Sequence, residues 1–182
     1  MHNQGSHAAG VSFLVPLVRI RMNINQINKH LFSSLMGITH WLTETELRNI
    51  IGKPVMRGLG SLTLSVKNAD AKGSAIAAAE EWQRMFPSKK MVPITKIDGD
   101  TVHAEIRSKC PYRGSGNVEG CYRMMEYDRK MMEKIGSTFT VVKSQAEPGV
   151  TYCQIAISKN TVNFPIEAKD RIQSERSIEF KS

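Results

Sequence analysis

Three thiols and one carboxylate carry most of the chemistry this sequence offers. Cys110 stands directly before Pro111 at the end of a strand-like stretch. Cys121 falls in the first turn of a helical segment, and Cys153 lies on a second strand-like stretch, on the same side as Ile155 and Ile157. Within the helical segment Val118, Cys121, Met125, Asp128, Met132 and Ile135 recur at intervals of 3, 4, 3, 4 and 3, which places them on one face. That face is apolar except at Asp128. A carboxylate on a buried stripe must be paired, hydrogen-bonded or protonated. Arg107, Lys109, Arg123 and Lys143 are nearby candidate partners in sequence. A thiol near a helix N-terminus is expected to ionise more readily than usual. Cys121 and Cys110 are therefore the candidate catalytic thiols, and Asp128, its pKa raised by its apolar stripe, is the candidate acid or base.

Other readings of the same residues stand beside this one. Free cysteine is among the most buried residue types and often only packs. Cys110, Cys121 and Cys153 together form a candidate zinc set, with His103, Glu119 or water as the fourth ligand, although no CxxC spacing supports it. Gly114-Ser115-Gly116 precedes the helix as a candidate anion nest. With Tyr112, Arg113 and the free amides of the first turn it would hold a small carboxylate. It lacks the lysine-serine/threonine ending of a nucleotide-phosphate loop. Met125 and Tyr127, beside Asp128, complete the candidate substrate-binding group.

The elements that must position these residues follow from periodicity. Ile24, Ile27, Leu31, Leu35, Ile38 and Leu42 share a helical face, with Asn23 as N-cap. Thr43 and Glu46 form a capping box that opens a short helix through Ile51, which Gly52 and Pro54 end. Residues 55–68 favour neither helix nor strand. Alanine-rich Asp70 to Phe86 is helical up to Pro87. Met91 to Ile97 and Thr101 to Lys109 read as strands joined at Asp98-Gly99. After the helix Val118 to Ile135, capped by Gly136, a second hairpin joins Thr138 to Gln145 with Thr151 to Ser158. The fold class is therefore α+β, an antiparallel sheet of about four strands in two hairpins with helices on one face. Residues 22–158 form this single domain. Residues 1–21 read as an N-terminal extension or edge strand, with Met22 an alternative start, and residues 159–182 as a polar C-terminal extension with a short helix at most.

Composition narrows the function classes. The chain has 182 residues, enough for one core without staples. Three cysteines are too few, and odd in number, for a secreted disulfide framework, and they point to a reducing compartment, the cytoplasm. The net charge of +8 fits an acidic partner, an anionic ligand or simply solubility. No Arg/Lys stripe is interleaved with aromatics, so no nucleic-acid partner is expected. Val11 to Ile20 is too short to span a bilayer, so no membrane role is expected. Ten methionines suit an irregular core or an apolar ligand pocket.

The stretch from Cys110-Pro111 through Cys121 and Tyr127-Asp128 to Tyr152-Cys153-Gln154-Ile155 resembles the L-2-amino-thiazoline-4-carboxylic acid hydrolase family. It is more distantly similar to the 4-vinyl-reductase-like domains that bind hydrophobic small molecules. The resemblance covers about a quarter of the chain well. It implies hydrolytic opening of a cyclic amidine ring, with Cys110, Cys121 and Asp128 in the polar cluster and Cys153 as the final cysteine. The sensor relatives carry a glutamate and a cysteine zinc ligand on the penultimate strand, where this chain reads Val142-Lys143-Ser144-Gln145. Two expectations result. One is a cysteine-centred hydrolase of a small carboxylated heterocycle or cyclic amide. The other is a non-catalytic binding or sensor domain with a methionine-lined pocket. In both, a small molecule is the partner, and a homodimer is an open alternative to a monomer.

Overall fold

The computed structural model describes residues 24–160 and 165–179. The expectations for residues 1–21 lie outside these. The order is α1 (Ile24–Thr43), α2 (Glu46–Val66), α3 (Ala75–Arg84), β1 (Ile94–Asp98), β2 (Thr101–Ile106), α4 (Val118–Met124), α5 (Glu126–Ile135), β3 (Thr138–Lys143), β4 (Cys153–Ser158) and α6 (Ala168–Glu179). The two hairpins form one antiparallel sheet in the order β1-β2-β4-β3. Helices α3 and α5 lie against the sheet, α2 lies on α5, and α1 packs on α2 and α4. The α+β architecture expected from the hairpin signals is the one observed.

Strand periodicity sets the inner face. Val102, Ala104 and Ile106 alternate inward on β2, and Cys153, Ile155 and Ile157 on the neighbouring β4. Ile106 pairs with Cys153, so the register carries the last cysteine to the end of β2, four residues before Cys110. The turn at Asp98-Gly99-Asp100 uses the positive φ of Gly99, 56°.

The helical half departs from its sequence reading. Helix α2 does not stop at Gly52 but runs on to Val66 with Pro54 inside it. The lost amide of Pro54 frees the carbonyl of Ile50, which stands in solvent where water can bond it. Gly52 has a packing role. A Cβ there would lie 2.5 Å from the Leu42 carbonyl oxygen, so only glycine allows α1 and α2 to approach this closely. Thr45, not Thr43, caps α2 by accepting from the Arg48 amide at 3.3 Å. Thr43 is the buried last residue of α1, and its hydroxyl donates to Thr39 O at 2.7 Å. Leu35 and Ile38 are exposed, while Thr39 and Thr43 turn inward, so the aliphatic face of α1 is not its buried face at this end. Helix α3 starts later than expected, at the Ser74 cap, because that hydroxyl accepts from the Ala77 amide. Its Ala78 and Ala79 are fully buried against the sheet. The 118–135 helix is two helices, α4 and α5, that turn at Met125, yet all six residues of the predicted stripe are buried. Residues 168–179 form a full helix, longer than expected for that extension.

Gly60 sets the α2–α5 spacing, since a Cβ would meet the Tyr127 carbonyl oxygen at 2.8 Å. Gly60→Ala is expected to cost about 1–3 kcal/mol in urea unfolding, because backbone must shift to admit the methyl. Gly37→Ala, on α1 with no described residue within 4 Å of its Cβ position, is the control and should gain about 0.5–1 kcal/mol.

Candidate functional site

A cavity of about 470 Å³ opens between α1, α2, the end of α3 and the α4–α5 turn. Most of its wall is apolar. Met36, Met56, Met85, Met124 and Met125 contribute, with Leu59 and Phe86. The polar part of the wall is Cys110, Cys153, Asp128, Gln145, Tyr127, Thr39, Thr63 and Ser108, with the exposed Lys67.

The thiols come together as the spacing suggested. Cys110 follows the end of β2 and Cys153 opens the adjoining β4. Cys121, in the first turn of α4, is buried behind them within thiol hydrogen-bonding reach of both. All three are free. Cys110 and Cys121 ionise in opposite senses. The Cys121 thiol donates toward Cys110 and lowers its pKa below the ordinary thiol range, against the effect of burial. The Tyr112 amide and the Arg113 charge act in the same direction. Cys121 itself is pushed well above that range, first by Cys110, then by Cys153 and by burial. This reverses the expectation from the helix N-terminus. Helix α4 has only seven residues, and Asn117 already satisfies its first turn, accepting from the Gly120 amide at 2.8 Å through Oδ1 and from the Cys121 amide at 3.2 Å through its carbonyl. A charge on Cys121 would be desolvated among neighbouring sulfurs.

Asp128 forms the second polar feature. Its Oδ1 accepts from Trp82 Nε1 at 2.9 Å, not from any of the four cations that sequence proximity suggested. Burial raises its pKa to about 6, and the indole and Arg129 oppose that rise only in part. Arg123 is occupied elsewhere. Its buried guanidinium donates to Thr43 O at 2.7 Å and Glu44 O at 3.0 Å and pairs with Glu46, tying α4 to the α1–α2 turn.

Tyr127 and Met125 line the cavity, whereas Tyr112 and Arg113 do not. The Tyr112 hydroxyl donates to His40 O at 3.0 Å and lies 2.8 Å from Thr43 Oγ1, and burial pushes its pKa up to about 12. It is a strut between the Cys110 loop and α1. Arg113 Nε donates to Gln145 Oε1 at 2.8 Å. The expected anion nest is taken by protein, because the amides of Gly114 and Gly116 donate to the carbonyls of Gln145 and Ala146 at 2.8 Å. Among the described residues no group of three or more His, Cys, Asp or Glu side chains is arranged to hold a metal ion. The three sulfurs thus influence one another's ionisation without forming the zinc set of Cys110, Cys121 and Cys153.

Two residues outside the sequence-derived site organise it. Gln145 is fully buried after β3. Its Nε2 donates to Ile106 O and Ser108 O at 2.9 and 3.1 Å, and its amide donates to Cys153 Sγ at 3.3 Å. Trp82 fixes Asp128 from α3. Neither had a spacing signal, and only the burial expected of a tryptophan in an alanine-rich helix hinted at the second.

Alkylation should follow the lowered thiol pKa of Cys110 and the complete burial of the other two sulfurs. One equivalent of iodoacetamide is expected to modify Cys110 first, with Cys121 and Cys153 protected until the chain unfolds. Peptide mapping by mass spectrometry would show it, and Cys110→Ser should remove the fast phase. Early labelling of Cys121 would contradict the arrangement. No described helix is long and apolar enough to cross a membrane. No family model, curated protein or solved structure matches this chain.

Proposed function

We propose that this protein is a small-molecule-binding domain whose methionine-lined cavity takes an apolar ligand and sets it against a wall of thiols and one carboxyl group. The observation that carries this reading is the 470 Å³ cavity itself, apolar over most of its surface, with Cys110, Cys153, Gln145 and Asp128 among its lining residues. Pockets of this size suit a compact organic molecule, held by apolar contact and oriented by a few polar groups. Methionine walls adapt to ligands of different outline. The arrangement favours binding over hydrolysis of a carboxylated heterocycle, because Tyr112 and Arg113, the residues that would hold a carboxylate, are engaged with protein outside the cavity. Three thiols kept reduced side by side fit a reducing compartment. Native mass spectrometry of freshly purified protein tests the reading. One bound apolar molecule per chain, or uptake of one from a panel of neutral aromatic and aliphatic compounds, is the expected result. A bare chain that takes up none would overturn it.

A second reading has its own observation. Cys110, with its lowered thiol pKa, and Asp128, with its carboxyl pKa near 6, line the same cavity. This pairing of nucleophile and proton donor suits hydrolysis of a cyclic amide or amidine, in keeping with the resemblance to the thiazoline-carboxylate hydrolases. Cys110 Sγ would bond to the ring carbon, protonated Asp128 would give its proton to the leaving nitrogen, and water would displace the sulfur and return a proton to Asp128. Turnover of 2-amino-thiazoline-4-carboxylate that survives Cys110→Ser would eliminate this route.

A further inference from the structure

Helix α2 carries an apolar stripe on its outer side. Leu47, Ile51, Val55, Leu62 and Val66, with Gly58 among them, follow one another at intervals of 4, 4, 3, 4 and 4. These intervals keep them on one face through about five turns. Leu47 is 80% exposed, Ile51 64%, Leu62 60% and Val66 70%. Together the five side chains expose on the order of 550 Å² per chain, at the top of the range a soluble monomer usually leaves open and about two-thirds of one side of a standard stable interface, about 800 Å².

The order of the stripe is the same read from either end. Turned end to end, Leu47 comes opposite Val66, Ile51 opposite Leu62, and Val55 opposite Gly58. A two-fold axis through the middle of α2 therefore brings each aliphatic side chain against one from the other copy, except at the centre, where Val55 meets a glycine. Among the described residues nothing lies within 4 Å of the Gly58 Cβ position, although glycine inside an exposed helix costs about 0.5–1 kcal/mol relative to alanine. At a helix crossing it admits the facing valine.

We infer that α2 is the interface of a homodimer, two copies packing antiparallel along this stripe about a two-fold axis midway between Val55 and Gly58. Leu62 and Val66 also line the mouth of the cavity. The partner copy would thus lay its Ile51 and Leu47 over them and narrow the entrance. This second step rests on the proposed ligand cavity, and dimerisation itself does not.

Light scattering or sedimentation of the full chain tests both steps. At about 50 µM the expected mass is twice the 20.4 kDa of one chain. Ile51→Glu and Leu62→Lys should each give monomers with unchanged far-UV circular dichroism. Mixing the two should restore a dimer, because the introduced carboxylate and ammonium then face each other across the axis. A full chain that stays monomeric overturns the interface, including a monomer whose stripe is shielded by its own residues 1–23. A dimer that neither substitution loosens also overturns it. For the entrance, the affinity of the neutral probe N-phenyl-1-naphthylamine should fall at least tenfold in Ile51→Glu, whose site lies outside the cavity wall. Equal affinity in dimer and monomer would contradict the capping step. A dimer that binds no probe would instead mark the failure of the ligand reading and leave the interface standing.

Discussion

Trp82→Ala is expected to destabilise the protein by about 3–5 kcal/mol, a large part of the 5–15 kcal/mol that holds a domain of this size together. Trp82 is fully buried where α3, α5 and β3 meet. Its ring packs edge-on to Phe86, with centroids 5.0 Å apart, and tilted against Phe139 at 5.9 Å. Alanine would remove this area and leave a void that neighbours on three elements could close only in part. It would also take the indole N–H from Asp128 Oδ1. Trp82→Phe separates the two effects. It keeps most of the apolar volume and loses only the donor, so a smaller loss of about 1–3 kcal/mol is expected. Urea unfolding of the three proteins, with similar m-values, measures both. A loss below about 1 kcal/mol for the alanine variant would mean that the tryptophan is not the joint between the helices and the sheet.

Asp128→Asn should act in the opposite direction and stabilise the protein near neutral pH. The carboxyl has a pKa of about 6 in the folded state against 3.8 in an unfolded chain. Below pH 3.8 both states hold the proton and the group contributes nothing. Between 3.8 and about 6 the folded state keeps a proton that the unfolded state has released, so stability falls as pH rises. Above that window the full penalty remains, on the order of 3 kcal/mol. An asparagine keeps an oxygen for the Trp82 indole without a buried charge. The variant should therefore be about 2–3 kcal/mol more stable at pH 7.5, with the gain fading towards pH 4. Paired unfolding curves across that range check it, and a variant destabilised at every pH would refute it. A carboxylate kept in an apolar wall at a cost in stability is the pattern expected of a group retained for function.

Residues with strong periodicity made their share of the fold legible. The alternation of Val102, Ala104 and Ile106, the Asp98-Gly99 turn and the six-residue stripe from Val118 to Ile135 each had one dominant physical reading, and each is seen in the structure. Gly52 and Pro54 misled because local propensity argues for a break there. Close packing on Leu42 needs the glycine, and solvent at Ile50 tolerates the proline. The gathering of Cys110, Cys121, Cys153 and Asp128 could be inferred because each ends or faces a predicted element. Their ionisation could not, since it depends on sulfur neighbours and burial that no spacing reveals. Gln145 was hidden for a similar reason. Its bonds run to carbonyls of a different hairpin, Ile106 and Ser108, 39 and 37 residues earlier in the chain. Tyr112 and Arg113 looked like ligand groups beside a glycine-rich turn, but their partners, His40 and Gln145, come from segments distant in sequence.

Equilibrium titration of the full chain with N-phenyl-1-naphthylamine, followed by probe emission, tests the ligand cavity most directly. Saturation at one probe per chain is expected, with affinity at least tenfold weaker in Met36→Trp, whose larger ring would project from the wall into the 470 Å³ space while the fold remains intact. Emission that never saturates, or that is unchanged when the space is filled, would show that no molecule enters between α1, α2 and the thiol wall.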